Sequence, residues 1–446
     1  MGKRAKKPLV LGCTIAAISM MLLSACQSGK SNEGPEATPE KRQQVPAEPT
    51  ELYFLSTSNY WWDEEVFMRD FGEPLKKKFP NIIPKTVKLT AMNAKEMEGL
   101  IASKQPMDVI LAANYSYLSL VQPYGLSEDI EPYLKQAQVD LNRFAAEFLD
   151  LNRSLGGGKL IGLPLQDSPT QVLYNKSIFD KFGVPYPPHD RWTWDEMFTV
   201  AKKLTRMDGD TSYYGVRVHP TFFRRNPYSL EFVHPTTHKV QFNSDLGKTV
   251  SEMFLRQYEL SDTKGLTPYG DKLFFEDRTL AMWMGLGSSY NTPERYKGLE
   301  WDLAPIPILP ERGNVSVQPY PDYMYLSSIS KHKELAVKAM DFFTSDYLQM
   351  ELSRKGWTTP LKNSQIKTAF GQDSDLFRGK NVSAMSPAKY APAAAYDLYI
   401  HQASATIIPK HIHNVALGQT DINSAMRSAE EEVNKFIEAQ QSMQAK

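Results

Sequence analysis

The sequence predicts an α/β protein in which parallel strands are covered by helices. From Leu52 onward, short apolar stretches alternate with stretches whose apolar residues recur at helical spacing, which is typical of such a sheet. The chain has 446 residues, of which 41% are apolar and 23% charged, as in an ordinary soluble globular protein. This length predicts about two to four domains. The formal net charge of zero argues against a nucleic-acid binder, which needs a basic surplus.

The first α/β unit begins with a short apolar strand and an amphipathic helix. Phe67, Phe71, Leu75 and Phe79 recur at helical spacing, and the helix is expected to end before Pro80. The other expected elements of this unit are strands at residues 52–55, 85–91 and 108–112 and a helix at residues 94–103. The order βαβαβ predicts a parallel sheet with helices on its faces.

A second α/β unit follows the glycine run at residues 156–158. A strand is expected at residues 160–164, ending at a proline, and the next strand and helix at residues 172–174 and 177–182. Thr193 and Glu196 have the spacing of a capping box, which predicts the start of a further helix.

The first 26 residues have the pattern of a secretory signal. Four bases precede residues 8–25, an uncharged stretch that ends in Leu-Ser-Ala, and Cys26 follows directly. Small residues before a cysteine resemble the bacterial lipobox, in which the thiol receives a diacylglyceryl group. An uncleaved membrane anchor is the alternative, because 18 uncharged residues just reach spanning length. We predict a signal peptide at residues 1–25 and a lipid on Cys26.

Residues 26–50 are predicted to form a lipid-anchored flexible linker. Residues 27–50 contain no aromatic residue, isoleucine or leucine and are rich in Glu, Pro, Lys and Gln, so they bury too little apolar area to order themselves. Cleavage before Cys26 removes four bases and no acid, which leaves a mildly acidic protein. The other cysteine, Cys13, leaves with the signal, so no disulfide is expected.

The motifs and their order resemble those of the extracellular solute-binding proteins of ABC importers, the maltose-binding-like family. The matching stretches are the lipobox at Cys26, the strand at 108–111, Gly-Lys-Leu-Ile-Gly-Leu-Pro at 158–164, Leu-Tyr-Asn-Lys-Ser-Ile-Phe at 173–179, Gly-Val-Pro at 183–185, Thr-Trp-Asp-Glu at 193–196, the segments at 275–283 and 327–336, and residues 418–426. One departure concerns residues 319–325, where aromatic residues stand in place of the glycines found in many members.

The resemblance implies a two-lobed, periplasmic-binding-protein-like fold of type II, with solute bound between the lobes. We expect an N-terminal lobe at residues 51–164 plus 323–375 and a C-terminal lobe at residues 165–322 plus 376–446. Closure of the lobes around the solute is the expected motion. The resemblance also implies delivery to ABC permease subunits in the membrane. We expect a monomer at the extracytoplasmic face of the cell membrane.

The ligand expected from this resemblance is a small molecule, an oligosaccharide. Sugars offer hydroxyls for hydrogen bonds and C–H faces that stack on aromatic rings. Candidate contacts lie past strand ends, at the expected crossovers or in small-residue loops; they are Trp61, Trp62, Asn114, Tyr115, Gln166, Asp167, Ser288, Tyr290, Tyr320, Asp322, Tyr323 and Trp357. One indole of Trp61 and Trp62 could instead pack in the core, and Asn114 could instead cap a helix.

The sequence predicts no catalytic site, no cofactor and no metal. His411 and His413 are the only close histidine pair, no acid stands near them in sequence, and no nucleophile elbow or phosphate loop is present. Two alternatives stay open: a surface glycoside hydrolase or lyase, which needs two facing carboxylates, and a sugar-sensing partner of a two-component receptor.

Overall fold

The computed structural model describes residues 48–57, 63–90, 93–168, 171–260, 269–285, 287, 290, 292–385 and 387–444. Cys26, Trp61, Trp62 and Ser288 lie outside the described residues, and so do the predicted signal peptide and nearly all of the predicted linker. In the described part of the chain the strands form two five-stranded sheets. The strands are β1 (Thr50–Ser56), β2 (Ile82–Lys88), β3 (Val109–Ala113), β4 (Gly162–Asp167), β5 (Gln171–Asn175), β6 (Arg206–Asp208), β7 (Thr211–Val218), β8 (Leu280–Met284), β9 (Trp301–Pro305) and β10 (Pro321–Leu326).

Helices connect the strands and cover both sheets. The α-helices are α1 (Glu64–Phe67), α2 (Glu73–Lys78), α3 (Ala94–Ala102), α4 (Asn114–Ser116), α5 (Glu131–Gln136), α6 (Ala146–Leu155), α7 (Lys176–Phe182), α8 (Trp194–Leu204), α9 (Thr221–Arg224), α10 (Asp245–Glu259), α11 (Asp271–Phe275), α12 (Lys333–Phe343), α13 (Asp346–Arg354), α14 (Ser364–Thr368), α15 (Ile400–Gln402), α16 (Ile408–Ala416) and α17 (Ile422–Gln444). Single π-helical turns at Met68–Gly72, Tyr117–Val121 and Ala403–Ile407 join neighbouring helices. Short 3-10 turns lie at Gln122–Tyr124, Leu141–Arg143, Pro293–Tyr296, Pro310–Arg312, Asp375–Phe377 and Val382–Met385.

The first sheet has the strand order β2-β1-β3-β10-β4, and we call it, with its helices, the first lobe. β1 pairs in parallel with β2 and β3, as the sequence predicts. The sheet also contains β10, which lies outside that βαβαβ unit and is antiparallel to both β3 and β4. This strand comes from far along the chain and returns from the second lobe, so its direction is not set by a helical crossover.

The second sheet has the order β6-β7-β8-β5-β9 and, with its helices, forms the second lobe. The chain passes from the first sheet to the second between β4 and β5 and returns between β9 and β10. The lobe boundaries expected at 164/165 and 322/323 fall inside β4 and β10. Pro164 does not end β4, because β4 is an edge strand, where a proline without an N–H is tolerated.

The helical periodicity of the first helix corresponds to its buried face. Phe67, Phe71 and Leu75 are at most 1% exposed and lie on the stretch formed by α1, the π turn and α2. Phe67 and Phe71 pack on Phe54 of β1 and Phe343 of α12. The capping box of Thr193 and Glu196 is present at the start of α8. The α/β fold predicted from the sequence, with two sheets covered by helices, is confirmed.

Candidate functional site

Polar residues of both lobes meet at one edge of the two sheets. β3, β4 and β7 end at this edge, and β10 begins there because it runs in the opposite direction to β3 and β4. Ligands of open α/β sheets bind beyond the carboxyl ends of the strands, where such loops converge. The candidate site therefore includes residues at or just beyond these strand ends.

Asn114 and Tyr115 come directly after β3. Asn114 is fully buried at the start of α4, whose N-cap is Ala113 and has no side-chain cap, so Asn114 does not act as the capping residue. Neither polar atom of its side chain has a hydrogen-bond partner among the described residues. A buried polar group left in this state costs about 1–3 kcal/mol, which marks Asn114 as a group suited to a ligand.

Gln166 and Asp322 form a polar pair on neighbouring strands. The Gln166 amide donates a hydrogen bond of 2.7 Å to the Asp322 carboxylate, across the pairing of β4 with β10. Gln166 is buried and Asp322 is partly exposed. Burial raises the pKa of Asp322 to about 6, with the Gln166 bond opposing the rise and nearby Asp167 adding to it. Asp322 thus offers a largely ionised hydrogen-bond acceptor at neutral pH.

The second lobe contributes Arg224 at the end of α9, the short helix after β7. Its Nη2 donates to the hydroxyls of Thr221 and Tyr320, each at 3.0 Å. Its Cζ lies 5.3 Å from the ring centre of Tyr115 and 5.0 Å from that of Tyr320. Two tyrosine rings from the first lobe and the crossover therefore enclose a guanidinium of the second lobe, a cation–π arrangement.

His401 completes this group of side chains. Its ring stacks on Tyr115, with centroids 4.6 Å apart and planes 16° apart. Arg224 Nη1 lies 2.9 Å from His401 Nδ1, and since a guanidinium only donates, Nδ1 must accept and the ring proton resides on Nε2. Burial and the Arg224 charge lower the pKa of His401 to about 4, in agreement with a neutral ring.

Tyr396 lies beside the same residues. Burial raises its pKa, while Arg224, Arg225 and the nearby Asn114 amide oppose that rise. Its hydroxyl nevertheless makes no hydrogen bond of normal length and geometry. We call Tyr115, Arg224, Tyr320, Tyr396 and His401 the Arg224 cluster. Together with Asn114, Gln166 and Asp322 it forms the candidate site.

A second network lies behind the cluster, at the crossover between the lobes. Asp167 is buried, accepts a hydrogen bond from the Tyr390 hydroxyl, and is electrostatically coupled to Arg225. Arg225 Nε donates to the Gln318 carbonyl at 3.0 Å. Burial raises the pKa of Asp167 although Arg225 and Tyr390 oppose the rise. We call Asp167 and Arg225 the hinge pair.

Gln318 fixes the chain around both arginines. Its amide nitrogen donates to the carbonyls of Arg224 and Asn226, and its amide oxygen accepts from the backbone N–H of Ala394. One buried side chain thus links α9, the return crossover and the segment that leads to Tyr396. Gln318 thereby helps to hold Arg224 and the segment that leads to Tyr396 in place.

Other predicted contacts lie elsewhere in the described structure. Tyr323 is fully buried, and its hydroxyl donates to the Phe148 carbonyl at 2.6 Å, because strand alternation turns it to the face opposite Asp322. Tyr290 packs with Tyr296, Trp301 and Phe377 in the core of the second lobe. Trp357 lies edge-on to Phe71, with ring centroids 5.5 Å apart. The structure therefore does not bring these three into the Arg224 cluster.

Sequence reasoning missed Arg224, Tyr396 and His401. Arg224 had a usable signal, because polar residues past the end of β7 satisfy the same rule that selected Asn114 and Gln166. Tyr396 and His401 had none, since they follow no strand. His401 meets Arg224 across 177 positions of sequence.

The histidine pair of the sequence analysis has an acidic neighbour that the sequence does not show. His411 Nε2 lies 2.8 Å from the carboxylate of Glu432, which also binds Lys410. No acid is near the pair in sequence, but α16 and α17 pack against each other and bring Glu432 to His411. Within the described ranges no group of three or more His, Cys, Asp or Glu side chains could hold a metal ion.

A family model and a named relative match this chain in sequence. The sequence model of the family described as bacterial extracellular solute-binding protein matches residues 63–350. A protein of Brucella abortus (strain 2308), named as a putative binding protein, is 24% identical over an alignment of 288 residues that covers 60% of this chain and 66% of that protein. The chain thus matches just under two thirds of that relative's length.

Solved structures share the fold over most of the chain. A sugar transporter of Rhizobium etli in an open conformation superposes with a TM-score of 0.67 at 20% identity, covering 86% of this chain and 99% of that one. The cyclic α-maltosyl-1,6-maltose binding protein of Arthrobacter globiformis gives 0.68 at 15% identity, with coverage of 87% and 98%.

The described structure has a two-lobed α/β fold. The chain belongs to the bacterial extracellular solute-binding protein family, because the family match covers more than half of it. The resemblance noted from the sequence motifs is thereby confirmed. In the part of the chain that the structure describes, no helix is long and apolar enough to cross a membrane.

Proposed function

We propose that this protein captures a saccharide between its two lobes and delivers it to the permease of an ABC importer. The observation that carries the proposal is the Arg224 cluster, in which aromatic rings and hydrogen-bonding groups of both lobes meet. Asn114 and Tyr396 keep buried polar atoms without hydrogen-bond partners there, as expected of groups that a polyhydroxylated solute would satisfy. The Tyr115 and Tyr320 rings offer apolar faces for the C–H faces of a sugar.

The contacts across the cleft suggest the way in which the solute enters. Tyr115 of the first lobe stacks directly on His401 of the second, so the lobes must separate there before a solute can lie between them. Rotation of one lobe about the crossovers would open this stack while the hinge pair stays in place. This is the hinge motion by which two-lobed binding proteins close around a ligand.

Binding without hydrolysis is favoured by the state of the two neighbouring carboxylates. A glycoside hydrolase needs two carboxylates that face the sugar. Asp322 is partly exposed and could face a solute, but Asp167 is 3% exposed and holds Tyr390 and the Tyr320 backbone N–H. Asp167 therefore serves the hinge, and one available carboxylate suits a hydrogen-bond acceptor rather than an acid–base pair.

We further propose that a lipid on Cys26 holds the protein at the outer face of the cell membrane. The support is the lipobox-like sequence that ends at Cys26 and the linker composition of residues 27–50. Cell fractionation of the wild type and of Cys26→Ser tests this directly. The wild type should sediment with membranes and the variant should not; equal membrane association of both would contradict lipid anchoring.

Saccharide capture is tested by thermal-shift screening of the full chain carrying Cys26→Ser. Mono- and oligosaccharides, peptides and polyamines should be compared, because a ligand that binds only the folded state raises the melting temperature with its concentration. Stabilisation by a saccharide supports the proposal, and stabilisation by peptides or polyamines alone contradicts it. Release of reducing ends during incubation would instead favour the hydrolase.

A further inference from the structure

Arg224 is a buried cation to which no described carboxylate is paired. It is 7% exposed, and its hydrogen-bond partners are the two hydroxyls of Thr221 and Tyr320 and the neutral ring of His401. Its Nε–H has no hydrogen-bond acceptor in the part of the chain that the structure describes. All partners of this guanidinium in the described structure are thus uncharged, although a buried charge is normally paired with an opposite one.

Arg225, the next residue in the chain, differs from Arg224 because a carboxylate acts on its charge. Arg225 is also buried; burial lowers its pKa, and the nearby charge of Asp167 opposes that change by favouring the charged guanidinium. Asp322, the partly exposed acid of the site, is engaged by Gln166, and its pKa responds to Gln166 and Asp167 rather than to Arg224. Among the described acids of the site, one is committed to Arg225 and the other to Gln166.

The arrangement around Arg224 suits an anionic group of the solute. A guanidinium presents N–H donors in a fixed fork that matches a carboxylate or phosphate, and burial strengthens the contact. The free Nε–H supplies a donor without breaking the bonds to Thr221, Tyr320 and His401. Asn114, also without partners, can donate to and accept from sugar hydroxyls in the same site.

We infer that the solute is a saccharide bearing a carboxylate or phosphate group, and that Arg224 binds this group. The inference rests on the proposed function and narrows its substrate class. Asp322 then accepts sugar hydroxyls on the first-lobe side, while the anion lies against the second lobe. A wholly neutral saccharide would leave the Arg224 charge uncompensated after the lobes close.

Calorimetric titration with matched saccharide pairs tests the inference. Galacturonate oligomers are compared with their methyl esters, and maltose 6′-phosphate with maltose, so that each pair differs in the anionic group. We expect the anionic member of a pair to bind at least 30-fold more tightly, with an affinity that falls as salt is raised. Preference within the first pair identifies a carboxylate, and within the second a phosphate.

Two other outcomes of the titrations are distinguishable. Equal or tighter binding of the neutral members overturns the inference while leaving saccharide capture intact. Binding of no saccharide in either series contradicts the proposed function, and the inference fails with it.

Variants locate the anion. Arg224→Gln should lower the affinity for the anionic member at least 30-fold and bring it to that of the neutral member. Arg224→Lys keeps the positive charge but lacks the planar set of guanidinium donors, so it should prefer the anionic saccharide less strongly than the wild type does. It replaces Arg224→Gln in the test if that variant does not fold. Arg256→Gln, at an arginine paired with Asp195 at 2.6 Å far from the cluster, is the matched control and should bind as the wild type does. An unchanged preference in both Arg224 variants would place the anion elsewhere and overturn the assignment.

Discussion

Arg224 and Arg225 are neighbours in sequence and both are buried, yet their surroundings differ. Arg225 donates to the Gln318 carbonyl, and the nearby charge of Asp167 favours its charged form. Arg224 contacts two hydroxyls, a neutral imidazole and two tyrosine rings, and no described carboxylate balances it. Adjacent residues of one type can therefore differ in role. Under the proposed function, Arg225 stabilises the crossover and Arg224 binds the solute.

Opening of the lobes would also affect the surroundings of Arg225 and Arg224 differently. The hinge pair joins α9 to the end of β4 near the crossovers, where the lobes are covalently connected. The Arg224 cluster includes Tyr115 of the first lobe, so opening of the lobes must separate Arg224 from that ring. A balanced charge at the hinge and an unbalanced one in the cleft are therefore consistent with a site that closes upon an anion.

The largest effect is expected from replacing Arg225 with an apolar residue of similar length. Arg225→Met removes the nearby charge that favours ionised, buried Asp167 and the hydrogen bond to the Gln318 carbonyl, and we expect a loss of about 3–5 kcal/mol of unfolding free energy. Denaturant unfolding measures the loss. Because protonation relieves an unpaired carboxylate, the loss should be smaller at pH 5 than at pH 8. Arg256→Met at the surface is the control, and equal losses in both variants would remove the distinction between hinge and surface arginines.

Removing the second partner of Asp167 should have a smaller effect. Tyr390→Phe deletes a hydrogen bond to the buried carboxylate, for which a loss of about 1.5–3 kcal/mol is expected. Tyr186→Phe is matched to it, because the exposed Tyr186 hydroxyl also donates to an aspartate, Asp180, at 2.6 Å. The control should change stability by less than about 0.5 kcal/mol. A loss as large in Tyr186→Phe would contradict the special role of the hinge.

Asp322 forms no ion pair with an arginine among the described residues. Its ionisation should therefore lower the free energy of unfolding, whereas that of a salt-bridged carboxylate raises it. Its pKa is raised from 3.8 to about 6 on folding, so its ionisation lowers stability as pH rises from about 4 to about 6. One pKa unit corresponds to about 1.4 kcal/mol, and solvent access to this partly exposed group reduces the effect to about 1–2 kcal/mol. Asp322→Asn should therefore be more stable than the wild type at pH 7 and equal to it below pH 4.

Thermal unfolding between pH 3 and pH 8 measures this difference. The exposed Asp373→Asn is the control and should follow the wild-type curve. A constant difference between Asp322→Asn and the wild type at all pH values would refute the raised pKa as its cause. Asp322→Asn should also weaken saccharide binding, because an amide accepts hydroxyl hydrogen bonds less strongly than a carboxylate.

The smallest effect on stability is expected at Arg224. Arg224→Gln removes three hydrogen bonds but also an uncompensated buried charge, so the two changes offset each other to within about 1 kcal/mol. The same denaturant unfolding that measures Arg225→Met checks this value. A loss as large as that of Arg225→Met would show that Arg224 is structural, and the contrast between the two arginines would not hold.

The sequence by itself determined the elements whose signals are local. The period of Phe67, Phe71 and Leu75 located a buried helix face, and the spacing of Thr193 and Glu196 located the start of α8, because helix geometry brings residues three and four apart to one side. The motif order also indicated the family. Asn114 was predicted because it follows a strand, and Gln166 and Asp322 because the resemblance placed crossovers beside them.

Only the tertiary structure decided which side chains meet and what each one is left to do. The return of β10 antiparallel to β3 and β4 set which face Tyr323 presents, and the crossover network separated Arg225 from Arg224. His401 meets Arg224 across 177 residues, and no local pattern encodes such a contact. Charge compensation depends on distances between residues far apart in the chain, so only the fold shows which residues of this site pair with one another.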